Sequence, residues 1–182
     1  ISLLSYLCNG ISLGSVYAII ALGYTMVYGI AKMLNFAHGD IIMVGAYAVI
    51  STVSLAQLPG VVGVAVSVVV CVFLGVTIEF LAYRPLRKAP SLAVLITAIG
   101  VSYLLQSLAL LVFKSEPKAF PTIIEIPSLT FGGVVIDGMT LLTLAVTAVI
   151  MISLSLFINK TKLGKAMRAV SEDKDAAELM GI

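Results

Sequence analysis

At 182 residues, with 60% hydrophobic and 11% charged residues and a net charge of +2, the chain lies far from a soluble domain, where about 25% of residues carry charge. It reads as an integral membrane protein, and its bases cluster in loops rather than over one face, which argues for a topology signal and against nucleic-acid binding. A lone histidine, His38, excludes a multi-histidine metal site. Cys8 and Cys71 stand in separate apolar segments without metal-ligand spacing, so they read as small buried hydrophobes. No basic stretch precedes the first apolar segment, so it is not a typical signal peptide.

The first apolar span covers about 2–30, uncharged and long enough to cross a ~30 Å hydrocarbon core even when tilted. Gly10, Gly14, Ala18, Ala21, Thr25 and Gly29 recur at helical spacing along one face. Such a ladder admits a close neighbour in lipid, so it reads as a helix-packing face, with a share in lining a pathway as the other reading. The stretch KMLNFAHGD, Lys32 to Asp40, then interrupts the apolar run. One reading is a turn, with Asn35 ending one helix and Asp40 capping the next. The other is a broken segment at a translocation pathway, with Asn35, His38 and Asp40 as its polar groups, because irregular backbone at membrane depth is tolerated where it lines a cavity.

A second span is expected over 41–58 and a third over 61–83, separated by the turn Pro59-Gly60. Glu79, near the end of the third, is expected at the interface or paired with a nearby arginine. The basic loop Arg84–Pro90 belongs on the cytoplasmic side. A fourth span, 91–113, carries Thr97, Gly100, Ser102, Gln106 and Ser107. Gln106 is a candidate interhelix hydrogen bond or pathway contact. Lys114 to Gly138 lacks a basic excess and is placed outside. Pro117, Pro121 and Pro127 punctuate it, and LTFGGVVI sets Gly132-Gly133 between β-formers, a hairpin signal.

A fifth span, 139–158, leads to Leu163, Met167 and Val170 on one helical face, with Lys162, Lys165 and Arg168 elsewhere, as in an interfacial helix. Ser171 to Ile182 follows, SEDKDAAELMGI, too short to be stable alone. Ser171 or Asp173 can cap it, Ala176, Ala177, Glu178, Leu179 and Met180 favour helix, and Gly181 can close it. A helix of this kind has to dock against something, its own spans or a partner. The two basic loops hold eight of the eleven Lys and Arg and fall on one side. Five spans put the N-terminus outside; six crossings, if KMLNFAHGD divides a broken helix, put it inside. NKTKLGKA imitates a phosphate loop but lacks the leading glycine and the hydroxyl residue after Gly-Lys. With no GxSxG, HExxH or paired-cysteine motif, no catalytic constellation emerges.

Asp175-Ala176-Ala177, followed at the proper interval by Gly181, is similar to the EAA signature of the cytoplasmic loop in ABC importer permeases, with Asp for the usual Glu. NGISLGSVYAIIALGYTMVYGI, LNFAHGDIIMVGAY, YRPLR and LGKAMRAVSEDKDAAELMGI, in that order, resemble the membrane subunit of branched-chain amino-acid importers from about Asn9 to Ile182. The resemblance implies an all-α polytopic helix bundle of the ABC importer permease type with a small extracytoplasmic hairpin. It places the transmembrane bundle in 1–158 and a cytoplasmic segment in 159–182, whose coupling helix (Asp175, Ala176, Ala177, Gly181) sits in a cleft of an ATP-binding cassette subunit. The family's chain continues well past this loop, and Ile1 is not an initiator Met, so the chain is expected to be the front half of a permease. ATP would be hydrolysed on the cassette subunits, and no cofactor is expected here. A second permease subunit, a soluble binding protein and the lipid bilayer are the other implied partners, in a bacterial or archaeal plasma membrane. The rivals are an importer of the same build for urea or short amides, and a channel or secondary carrier without an ATPase.

Overall fold

The computed structural model describes residues 2–181 apart from Met33, Thr122, Glu125, Gly132 and Gly133. The order of elements is α1 (Ser2–Ala31), α2 (His38–Ile50), α3 (Gly60–Ile78), α4 (Ser91–Phe113), the strands β1 (Leu129–Phe131) and β2 (Val134–Ile136), then α5 (Gly138–Lys160), α6 (Lys162–Glu172) and α7 (Lys174–Leu179). Among the described residues, five helical segments are long and apolar enough to span a membrane: Ser5–Gly29, His38–Leu55, Gly60–Leu86, Ser91–Phe113 and Gly138–Lys160. The fold is thus an all-helical polytopic membrane architecture with one short hairpin.

The chain divides into two compact units, Met33–Ile124 and Ile1–Lys32 with Glu125–Ile182. In the Met33–Ile124 unit, α2 and α3 meet through small residues. Ser67 donates its hydroxyl to the Gly45 carbonyl at 2.9 Å, and one turn further along α3 the Cys71 thiol approaches the Ile41 carbonyl at 3.5 Å. A Cβ at Gly45 would lie 2.8 Å from Cys71 Sγ and 3.0 Å from Ser67 Oγ, so the helices come this close only because that position is glycine. In lipid, where apolar burial drives little association, such contacts are the natural glue. Cys71 is a free, half-buried residue at this contact, a small side chain whose thiol reaches a carbonyl. The core of this unit is Ala37, Ile78, Tyr83, Val94, Ala98 and Leu105.

Two spans end in wider turns. After α2, Ser51–Leu55 is π-helical, with the Ala56 amide reaching the Ser51 carbonyl at 3.1 Å. After α3, Glu79–Tyr83 is π-helical and passes into a 3₁₀ turn, Arg84–Leu86. Arg87 reaches back to Glu79, the expected arginine partner, but both side chains are about half exposed and such pairs contribute little to stability. Several threonine hydroxyls within the spans are satisfied locally: Thr52, Thr77 and Thr97 donate to carbonyls four residues back, as do Thr143 and Thr147 in α5.

In the other unit, β1 and β2 pair antiparallel, Leu129 opposite Ile136 and Phe131 opposite Val134. The predicted turn residues Gly132-Gly133 lie outside the described residues. A methyl group added at Gly10, Gly14 or Gly29 of α1 meets nothing within 4 Å, so no described neighbour approaches the backbone closely at those rungs.

Candidate functional site

Lys32, at φ 53, closes α1, and the turn into α2 is organised by Asn35. Its amide oxygen accepts the Ala37 N–H at 3.1 Å and the Tyr83 hydroxyl at 2.8 Å, while its carbonyl accepts the His38 N–H at 3.2 Å. Asn35 therefore starts α2 rather than ending α1. The reason is reach: a short amide forms a local turn with the N–H two residues ahead. Tyr83→Phe is expected to lower stability by about 1 kcal/mol. An unfolding temperature unchanged from wild type in detergent would show that the hydroxyl does not hold the turn.

Asp40 is not the cap of α2. That position is Ala37, which makes no side-chain cap. Asp40 instead lies in the first turn, only 8% exposed, and its carboxylate turns to α4. It accepts from the Ser102 hydroxyl and, at 3.0 Å, from Gln106 Nε2, which also lies 3.1 Å from Ser102 Oγ. Ser102 and Gln106 are one turn apart on α4 and so share a face. The helix N-terminus adds a favourable field for a carboxylate here.

Depth follows from this pairing. Ser102 lies eleven residues into the 23-residue α4, about 16 Å along its axis. The start of α2 is thus level with the middle of a full-length span; within KMLNFAHGD, Ala37 and Asp40 are buried, while Leu34 and Phe36 are exposed. His38 is half-buried in the same turn. Of the four polar candidates, Asp40 and Gln106 are brought into direct contact and Asn35 is tied to Tyr83. Ser102 and Tyr83 belong to these clusters too, although sequence reading passed Tyr83 over. The one available signal was the four-residue spacing of Ser102 and Gln106.

A second site forms where α5 turns into α6. Thr161 caps α6, its hydroxyl oxygen accepting the Gly164 N–H at 3.0 Å. Arg168 Nη1 donates to Asn159 Oδ1 at 3.1 Å. The Asp173 carboxylate then caps α7 by accepting the Ala176 N–H at 3.0 Å. Ser171, the other cap candidate, instead donates its hydroxyl to the Arg168 carbonyl. Ala177 of α7 is buried, whereas Asp175 and Ala176 are exposed. Leu179 and Met180 project at 88% and 81% exposure, and Gly181 follows in the left-handed region at φ 80. The four signature residues are thus split: Ala177 anchors, and the other three stay accessible.

The family described as the branched-chain amino acid transport system permease component matches residues 6–182. The chain is 43% identical over 192 residues to BraD of Pseudomonas aeruginosa, a high-affinity branched-chain amino acid transport system permease protein, and 36% identical over 191 residues to LivH of Salmonella typhimurium, a protein of the same description. LivH of Escherichia coli is 36% identical over 198 residues. Each comparison covers 98% of this chain and 62% of the relative, so the chain spans just under two thirds of their length. No solved structure matches.

Proposed function

The chain belongs to the family of branched-chain amino acid transport permease components, and from that premise we propose that it forms part of the membrane-spanning subunit of an ATP-driven ABC importer for leucine, isoleucine and valine. The observation that carries this reading is α7, a capped six-residue helix after the fifth apolar helix, anchored by Ala177 and presenting an exposed apolar tip. A helix that short is not self-sufficient and has to dock against something. ATP-binding cassette subunits would hold it in the cytoplasm and carry out hydrolysis. This chain would need no cofactor and perform no bond chemistry. A soluble binding protein would deliver the amino acid at the opposite face of the inner membrane, and a second permease subunit would complete the pathway.

The mechanism is alternating access. Closure of the cassettes would move α7, and the capped corner at Thr161 would pass that movement to α5. A zwitterionic substrate needs polar groups within the membrane. The start of α2, with Asp40, Gln106, Asn35 and His38, supplies a carboxylate, amides and a positive helix end. Labelled leucine uptake into vesicles carrying the complete system tests this, with and without ATP and with urea as competitor. ATP-dependent uptake insensitive to urea is expected. Uptake without ATP or cassettes would instead assign a channel or carrier, and urea uptake without leucine would move the substrate.

A further inference from the structure

At the end of α2 remote from Asp40 lies a cavity of about 510 Å³, within the Met33–Ile124 unit. Its walls are apolar, including Ala46 and Ile50 from α2 and Leu110 from α4; its rim is Lys114, Glu116 and Lys118. The volume falls in the range of small-molecule sites, which pair an apolar lining with a few polar groups. Tyr47 stacks on Phe113 with centroids 4.1 Å apart, and Lys118 Nζ lies 5.5 Å from the Phe113 centroid, so one rim cation rests on a fixed aromatic pair. The other rim cation occupies an unusual backbone. Lys114 has φ 62 and ψ 178, a region that glycine enters freely and other residues enter under strain. Glycine would end α4 more comfortably; lysine adds a cation at the cavity mouth.

We propose that this cavity is a binding site for a free amino acid with an aliphatic side chain. The Lys114 and Lys118 ammonium groups would meet its carboxylate, Glu116 its ammonium group, and the Ala46, Ile50 and Leu110 wall its side chain. This rests on the importer reading and adds to it a station at the opposite end of α2 from Asp40. The site selects by net neutrality as well as by apolar character: a cationic or anionic side chain would bring an unpaired charge against the wall.

The test uses the full-length chain assembled with its cassette and partner permease subunits. Equilibrium binding of labelled leucine is measured without the binding protein, alongside ATP-dependent leucine uptake and thermal unfolding. Leucine binding competed by isoleucine and valine but not by lysine or glutamate is expected. Ala46→Phe, which projects a ring from the apolar wall into the cavity, should abolish it. Lys114→Gly should weaken it about tenfold, the factor for one charge-assisted hydrogen bond, while leaving the unfolding temperature equal or higher. A purely structural lysine would show only the second effect. Leucine binding and uptake unchanged in Lys114→Gly overturn the site and leave the importer reading standing, whatever the folding of Ala46→Phe. No ATP-dependent leucine uptake by the unaltered system overturns that reading and the ligand class with it.

Discussion

Asp40→Ala is expected to destabilise the protein by roughly 1–3 kcal/mol and, on the proposed importer reading, to stop leucine uptake by the assembled system. The carboxylate is almost buried and accepts from both Ser102 and Gln106. Its removal leaves the Ser102 hydroxyl without its acceptor, at about 1–3 kcal/mol when unsatisfied, whereas Gln106 keeps its contact with Ser102 Oγ. Two effects pull the figure down. Interhelical hydrogen bonds in membranes average only about 0.6 kcal/mol because the alternatives also find partners. Burying a carboxylate is itself unfavourable, so deleting it recovers some desolvation. Asp40→Asn separates packing from charge: it keeps a carbonyl acceptor for Gln106 and should hold stability to within about 1 kcal/mol. If uptake nonetheless falls in Asp40→Asn, the negative charge itself serves transport. If Asp40→Ala unfolds at the wild-type temperature, the cluster does not hold α2 to α4.

The contrast between what the residues announce and what they conceal follows the range of each interaction. An apolar span must supply about 20 residues of hydrocarbon-compatible side chain, a signal carried by the local run itself. The short strands around Gly132-Gly133 and the Asp173 cap are likewise local, since each partner sits within a few residues. Asp40 is different. Its partners lie 62 and 66 residues away, and nothing in HGD distinguishes a cap from an interhelical acceptor. Ser67 and Cys71 conceal themselves in the same way, because their carbonyl partners Gly45 and Ile41 belong to another helix. The π-helical turns at Ser51–Leu55 and Glu79–Tyr83 carry no composition signal at all; they shift hydrogen bonds by one residue without needing particular side chains. The glycine ladder on α1 marks the complementary limit. Spacing defines a face suited to a close neighbour, but not which neighbour, and a Cβ at Gly10, Gly14 or Gly29 has open space within 4 Å among the described residues.

On the proposed importer reading, Gly164→Val is expected to eliminate ATP-dependent uptake while the apolar helices still fold. A Cβ at Gly164 would lie 2.4 Å from the Ile158 carbonyl oxygen and 2.5 Å from that of Phe157. These are backbone atoms of α5, so no side-chain rotation relieves the clash and the corner has to open. Overpacking alone costs about 1–3 kcal/mol. Opening also separates Thr161 from the Gly164 N–H and Arg168 from Asn159. The displacement then travels outward, because the Asp173 N–H is bonded to the Ala169 carbonyl at 3.1 Å and the Asp173 carboxylate caps α7. Thr161→Ala is the control: it removes one cap, worth about 1 kcal/mol, and leaves the close approach intact. Uptake should survive that change, because the corner is held by its fit more than by its cap. In Gly164→Val, ATPase activity should persist in the assembled complex without driving leucine accumulation. Full transport by Gly164→Val would mean that the α5–α6 corner does not set the position of α7, and that movement reaches the spans by another route.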